Sequence, residues 1–348
     1  MPKDKKRKRT LGDSKSDQPQ QVDTSKPTAI FRPAGGRAHT LSVALPGSII
    51  ANAKSHDQKT YLAGQVARAL AVFCVDEVVV FDDEDKSTQE SRPDIGENEY
   101  TAFSHPCHFL AHLLSYLETP PHLRKTVFPM HPNLRTAGTL PSLDMPHHLR
   151  ANEWCEYREG VALNSDANGT LVDVGLSEPQ LVQGAEIPQG TRVTLHLDDS
   201  SSTGAEAVAP STPREKTGYY WGFNVRSCNS LSNVFTECPF NGGYDVSFGT
   251  SERGDALSTI LARPSLSQSE SRNYQHALVV FGGVAGLEVA GKNDADLSQM
   301  GVSGMNVHEL FDHWVNVLPN QGSRTIRTEE AVWLGLMGLR GFMENIGG

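Results

Sequence analysis

The stretch that most restricts how this chain can fold is Glu77-Val-Val-Val-Phe81, a continuous apolar run bounded by acidic residues. Unbroken apolar character over so short a span marks a strand covered on both faces, which is the situation inside a parallel sheet. Two elements precede it. Thr40-Leu-Ser-Val-Ala-Leu45 reads as a strand with Pro46-Gly47-Ser48 as its exit, and Asp57 to Phe73 sets Tyr61, Leu62, Val66, Leu70 and Phe73 at helical spacing with Asp57 as cap. Strand, helix and strand in that order predict a right-handed βαβ opening and an α/β protein.

The same alternation returns at the far end of the chain. Expected there are Tyr219 to Arg226, a short helix near Asn229 to Phe235, strands at Tyr244 to Phe248, Ala277 to Phe281 and Trp314 to Leu318, and a closing helix from Thr328 to Met343. Between the halves, Cys107 to Leu117 is helical and stops before Pro120-Pro121, and Thr126 to Arg150 is irregular. Gly160 to Asp198 changes character, because short β-rich pieces (Gly160 to Leu163, Thr170 to Val174, Arg192 to Leu197) alternate with Asn-Gly and Pro-Gln-Gly turns. That pattern suggests a small OB-like barrel, a fold that often grips single-stranded nucleic acid. The Ser, Thr and Pro-rich segment Asp199 to Thr217 reads as a hinge, and Asp82 to Tyr100 as an acidic surface insertion.

At 348 residues the chain is long enough to bury a sizeable core. Its first nine residues carry six Lys or Arg and one Asp, a net of +5, which leaves −15 for the remainder of a chain whose total is −10. A basic tail on an acidic body argues that any contact with nucleic acid is local, through the tail or a few arginines, and not through an overall positive surface. Lys5 to Arg9 matches a nuclear-localisation run, and residues up to Ala38 are too polar to offset their ordering entropy, so a disordered tail is expected. Cys74, Cys107, Cys155, Cys228 and Cys238 are odd in number and lack C-x-x-C spacing, which points to free thiols in a reducing compartment. No apolar run approaches ~20 residues and the N-terminus lacks a signal-peptide core, so a soluble intracellular protein is expected.

Candidate chemistry concentrates at three strand ends. Val246 to Asp255 runs into Gly249-Thr-Ser-Glu-Arg-Gly254, Ala277 to Glu288 runs through Phe281-Gly282-Gly283, and Pro319 to Glu330 is a turn-rich loop in which Gly322 and Ser323 leave backbone N–H groups free to face a ligand. Thr328 with Glu329 and Glu330 reads as an N-cap and acidic first turn. Such ends hold nucleotide-like ligands at the carboxyl edge of an open α/β sheet. Phe281 stands where a dinucleotide fingerprint needs its first glycine, so NAD or FAD is disfavoured, and no P-loop motif occurs. Gly282-Gly283 as a mere packing turn, and Glu252 with Arg253 as a simple ion pair, are the duller readings. His105, Cys107, His108 and His112 have a spacing that could face a metal but lack a carboxylate partner, and His147-His148 is no better; no metal is expected. Arg324 and Arg327 suit a phosphate or a nucleobase carbonyl.

Several blocks together resemble the RNA methyltransferases of the SPOUT superfamily, in the eukaryotic and archaeal branch, whose cofactor binding is class IV-like. They are Thr40-Leu-Ser-Val-Ala-Leu-Pro-Gly-Ser-Ile, Tyr61-Leu-Ala-Gly-Gln-Val-Ala-Arg-Ala, Phe73-Cys-Val-Asp-Glu-Val-Val-Val-Phe-Asp, Tyr220-Trp-Gly-Phe, Gly249-Thr-Ser-Glu-Arg-Gly, His276-Ala-Leu-Val-Val-Phe-Gly-Gly and Gln321-Gly-Ser-Arg-Thr-Ile-Arg-Thr-Glu-Glu-Ala. The likeness spans Thr40 to about Leu339. It implies a parallel α/β sheet with a C-terminal trefoil knot over about 245–330, a methyltransferase domain formed by 39–155 and 217–348, an OB-like insertion at 156–200, a hinge at 201–216, an acidic insertion at 83–100 and a tail at 1–38. It further implies S-adenosyl-L-methionine as cofactor, a homodimer, and methylation of an RNA base, ribosomal uridine N3 being the best candidate. Around the cofactor the resemblance places Thr250, Arg253, Gly282, Gly283, Asn316, Leu318, Gly322, Ser323, Thr325, Ile326 and Thr328, with Arg253, Glu252 and Glu329 as candidate catalytic groups and Arg324 and Arg327 toward RNA. Nuclear or nucleolar placement is expected, with a cytoplasmic share besides. The rival reading is a catalytically silent RNA-binding scaffold in ribosome assembly or a mitotic structure.

Overall fold

The computed structural model describes Pro33 and residues 35–346, except 94–95, 97, 198–204, 264–265 and 267–272. The basic run Lys5 to Arg9 lies outside the described residues. Eleven strands among them form two sheets. The first is parallel, in the order β11 (His313–Asn316), β9 (Val246–Ala256), β10 (His276–Val280), β1 (Thr40–Pro46), β2 (Glu77–Phe81) and β8 (Asn224–Cys228). All residues of β1 and β2 are buried, as expected where helices cover both faces.

Alternation along the strands sends side chains to two apolar layers. Leu41, Val43, Leu45, Val78 and Val80 pack with the helices His56–Val72, Pro106–Glu118 and Thr328–Asn345. Ala44, Val79, Leu278 and Val280 join Leu231, Val234, Leu287, Ala290 and Phe311 on the other face. The helix His56–Val72 starts one residue earlier than its apolar pattern suggested. Ser55 is its cap: the hydroxyl accepts the Gln58 N–H at 3.2 Å and Gln58 Oε1 accepts the Ser55 N–H in return, leaving Asp57 in the first turn near the helix dipole's positive end.

The second sheet is antiparallel, in the order β5 (Gln180–Gln183), β4 (Gly169–Asp173), β3 (Tyr157–Asp166), β6 (Arg192–His196) and β7 (Glu206–Val208). Its outer strands approach each other through an isolated bridge between Val182 and Ala205, over a core of Val172, Val174, Val182, Leu195, Leu197 and Ala205. Two of these strands were not legible. β5 and β7 are four and three residues long, and β7 lies inside the segment read as a hinge. That segment is further tied down by Arg214, whose guanidinium donates to the carbonyls of Arg37 and Ala38 at 2.8 and 2.7 Å.

A paired-charge network joins the antiparallel sheet to the helix Pro106–Glu118. Arg192 of β6 reaches Glu118, at the end of the helix Pro106–Glu118, and Glu159 of β3, each at 2.6 Å, while Trp221 Nε1 donates to Glu159 at 2.7 Å. Burial would raise the Glu118 carboxyl, yet Arg192 and His147 override it and hold the group down at about 2. Order also begins earlier than the composition suggested: Arg37, inside the stretch read as tail, pairs with Asp76 at 2.7 and 2.8 Å, because a bidentate arginine can recruit a polar segment that has no apolar anchor. Within the acidic insertion, Lys86–Ser91 is a short helix capped by Asp85, and Arg92 pairs with Asp82 and Glu84 at 2.9 Å.

Candidate active site

The three strand ends singled out in the sequence meet at the carboxyl edge of the parallel sheet, around a cavity of about 300 Å³. The first enters by a bulge. Trp314 of β11 pairs with Gly249 of β9, but the next residue, Val315, pairs with Asp255, so residues 250–254 are looped out between consecutive partners. Gly254 makes the return possible, since a Cβ there would lie 2.5 Å from the Val315 carbonyl carbon. The bulge carries Thr250, Ser251, Glu252 and Arg253 to the cavity.

The second end follows β10. Phe281 N–H donates to Ala44 O at 2.9 Å, and Gly282 and Gly283 form the wall behind it. Added Cβ atoms would meet Leu287 N at 2.8 Å from Gly282, and Ser48 Oγ at 2.7 Å and Asp83 Oδ2 at 3.1 Å from Gly283. Both glycines are therefore demanded by close packing as well as by the cavity they face. Behind Gly283, Ser48 donates to Asp83 Oδ2 at 2.6 Å, and Asp83 Oδ1 is buried without a partner. Burial pushes the Asp83 carboxyl up to about 6, with the Ser48 hydrogen bond opposing the rise.

The third end is the loop from Asn316 to Thr328. Asn316 clamps it to the first, donating Nδ2 to Glu252 O at 2.9 Å and accepting the Leu318 N–H on Oδ1 at 3.0 Å. The closing helix begins at Thr328, so this residue is not the N-cap; Glu330 accepts the Arg327 N–H at 3.0 Å instead. The Thr328 hydroxyl donates to Gly282 O at 3.0 Å and that of Thr250 to Val280 O at 3.1 Å, so both tie strand ends together and keep only their lone pairs for a ligand.

Of the residues expected around a cofactor, Thr250, Arg253, Gly282, Gly283, Asn316, Thr325, Ile326 and Thr328 line the cavity. Leu318, Gly322 and Ser323 are exposed on the loop beyond it, as are Arg324 and Arg327. Gly322 is not the loop's conformational hinge: no atom lies within 4 Å of an added Cβ, and the left-handed position is Asn320 at φ 59°. Glu252 lines the cavity, whereas Glu329 is buried outside its lining with Oε2 unpartnered.

Sequence reasoning missed Glu288. It accepts a hydrogen bond from Ser251 Oγ at 3.2 Å and lies 3.7 Å from Arg253 Nη1, so Arg253 faces this carboxylate across the cavity rather than pairing with adjacent Glu252. At 75% exposure that arginine is free to move, and the pair is weak. The only hint was that Glu288 falls in the first turn after Gly286, where glycine adopts φ 76° to start a helix.

The histidine spacing serves structure. His105 caps the helix Pro106–Glu118, His147 and His148 bond the Glu118 carbonyl at 3.1 and 2.6 Å, and burial followed by the charges of His131 and His108 lowers His112 to about 4. No group of His, Cys, Asp or Glu among the described residues is arranged to hold a metal ion, and all five cysteines are free.

Comparison with known proteins shows the family. The sequence family described as "Putative RNA methyltransferase" matches residues 40–339. The chain belongs to that family. Among curated relatives of this RNA methyltransferase family member, the human and mouse proteins named 28S rRNA (uridine-N(3))-methyltransferase are 43% and 42% identical over 316 and 323 residues, covering 88% and 90% of this chain and 79% of each relative. A Drosophila melanogaster protein of the same name is 44% identical over 312 residues, covering 86% of this chain and 62% of the relative.

Proposed function

We propose that the protein is an S-adenosyl-L-methionine-dependent methyltransferase acting on N3 of a uridine in ribosomal RNA. One observation carries the reading: 43% identity across 316 residues with a 28S rRNA (uridine-N(3))-methyltransferase, in a chain whose three glycine-bearing strand ends share one cavity. The lining suits the donor. Apolar Phe281, Val317, Ile326 and Ala331 offer a bed for a flat ring, Thr325 and the backbone at Ile326 offer hydrogen bonds, and Glu288 offers a counter-charge for a cationic ligand, while Leu318 and Gly322, expected to bond the adenine, lie on the loop beyond the lining.

The bound donor supplies a methyl group already activated by its positive sulfur, so the residues of this chain have mainly to align the attacking nitrogen. An imide N3 must first lose a proton, and negative charge then spreads onto the flanking carbonyl oxygens. Arg253, mobile at the cavity rim, is placed to stabilise that charge, and Glu252 is the carboxylate at hand to take the proton. Glu329, buried outside the lining, fits a structural role better.

Fold expectations support the same reading. β11 follows β10 in the chain yet lies beyond β9, so the segment between them must pass back across the sheet, as a C-terminal trefoil knot requires. The bridge from Val182 to Ala205 brings the edges of the antiparallel sheet together, in keeping with an OB-like barrel. A homodimer, with Arg324 and Arg327 toward RNA and a nuclear or nucleolar address in Lys5 to Arg9, completes the proposal. The test is nucleoside analysis of ribosomal RNA incubated with the protein and labelled donor: 3-methyluridine with wild type and at least tenfold less with Arg253→Ala supports it. Donor binding by calorimetry without any transfer to RNA would leave the silent scaffold in its place.

A further inference from the structure

Away from the cavity lining, one patch is left unfinished by the chain's own residues. Phe103 is 67% exposed, in the segment leading into the helix Pro106–Glu118. Its ring is held from below. Buried Lys59 places Nζ 4.9 Å from the ring centroid while donating to Ile50 O at 2.7 Å, and Tyr100 meets the ring edge-on at 5.8 Å. Tyr100 is backed in turn by Phe109 at 5.7 Å and His56 at 5.1 Å. Three polar atoms here, Tyr100 Oη and both His56 ring nitrogens, have no hydrogen-bond partner among the described residues, a density of uncompensated groups that folded chains rarely leave in one place. The exposed Arg135 makes no ion pair among the described residues, and its charge bears on both His56 and Tyr100.

A chain of packed residues links this patch to the candidate active site. Gly283 of the cavity wall packs against Ser48, its neighbour Gly47 packs against Cys107, and Cys107 opens the helix that Phe103 precedes. We propose that Phe103, with Tyr100 and Arg135, is an accessory nucleobase platform that stacks an unpaired base of the RNA strand flanking the nucleotide in the cavity. The chemistry favours RNA over a protein partner. A lone, edge-braced aromatic ring, with an exposed arginine whose charge reaches the residues bracing it, matches a base and its phosphate, whereas a protein hot spot would need a wider apolar pocket around the ring. Because Lys59 and Tyr100 already fix the ring, stacking on it costs little side-chain entropy.

The inference rests on the proposed RNA methyltransferase function, and the experiment separates the two. Full-length wild type, Phe103→Ala, Phe103→Trp and Arg135→Ala are titrated with a ten-nucleotide single-stranded oligouridylate, with S-adenosyl-L-methionine binding and transfer to ribosomal RNA measured in parallel. Phe103→Ala should weaken oligonucleotide affinity roughly five- to hundred-fold while donor affinity stays at the wild-type value, and Phe103→Trp should restore it. Arg135→Ala should weaken binding and flatten its salt dependence. Unchanged oligonucleotide affinity in Phe103→Ala overturns the platform whatever the transfer assay gives. Absence of transfer by wild type overturns the enzymatic reading alone.

Discussion

Asp83 imposes a pH dependence on stability that can be worked out in advance. The carboxyl is 9% exposed, takes one hydrogen bond from Ser48 at 2.6 Å, and leaves Oδ1 buried with no donor. The groups around it relieve it only in part: the Ser48 hydroxyl and the backbone of Asp83 and Ser48 oppose the rise, whereas Asp82, paired with Arg92, adds to it, Cys107 is a buried thiol, and Asn293 donates to the Asp83 backbone carbonyl, not to the side chain. Burial therefore raises the folded group to about 6, from 3.8. A folded state that holds its proton more tightly than the unfolded chain gains fully from this group below about pH 4 and loses the gain as pH rises through 6. In free energy that rise corresponds to about 3 kcal/mol. Asp83→Asn keeps an acceptor for Ser48 and cannot ionise, so it should match wild type at pH 4 and exceed it by up to about 3 kcal/mol at pH 7.5. Urea unfolding of both proteins across that range gives the difference directly, with every other titrating group common to the pair. A difference that stays flat with pH, or a variant weaker than wild type at pH 7.5, refutes the reasoning.

Three further outcomes follow from the packing. Gly282→Ala should lose about 1–3 kcal/mol and most donor affinity, because its Cβ meets Leu287 N at 2.8 Å, whereas Gly322→Ala should shift stability by less than about 0.5 kcal/mol; chemical denaturation and calorimetry check both. Arg192→Ala should destabilise by about 3–5 kcal/mol in denaturant titrations, since it strands Glu118 and Glu159, 5% and 3% exposed, without their shared cation. Thr328→Val should cost about 1 kcal/mol by leaving the Gly282 carbonyl unpaired, and should weaken donor binding measured in the same samples.

How much of this was legible differs by physical cause. Glu77–Phe81 is the strand the apolar run predicted, residue for residue, because burial on both faces leaves a composition no other element mimics. That three strand ends would meet was readable for a related reason: glycine and small polar residues after a strand advertise a tight approach, and Gly254, Gly282 and Gly283 would each bring an added Cβ against backbone or side-chain atoms. The cap at Ser55 was legible in the local Ser55-x-x-Gln58 spacing and was passed over for Asp57, whereas the strands β5 and β7 and the ordering of Arg37 were not, since each depends on a partner remote in sequence or on backbone pairing that short polar segments do not reveal. Glu288 escaped for the same reason. Its neighbours Ser251 and Arg253 lie more than thirty residues away, and only the bulge in β9 brings them together.

That dependence on remote pairing also resolves how an acidic body can present a face to RNA. Net charge sums all cations equally, but Arg37, Arg92, Arg192 and Arg226 are partly or wholly buried against Asp76, Asp82, Glu118 and Glu77, and their fields are spent inside the protein. The arginines with no ion pair among the described residues include Arg135, Arg324 and Arg327, all exposed, and Arg253 is held only loosely. Arg253, Arg324 and Arg327 belong to the strand ends around the cavity, and the charge of Arg135 reaches His56 in the Phe103 patch. If the protein acts on RNA as proposed, a surface that repels phosphates elsewhere and accepts them along this edge would orient the strand before any base is read, and the acidic remainder of the chain would then work in favour of selectivity.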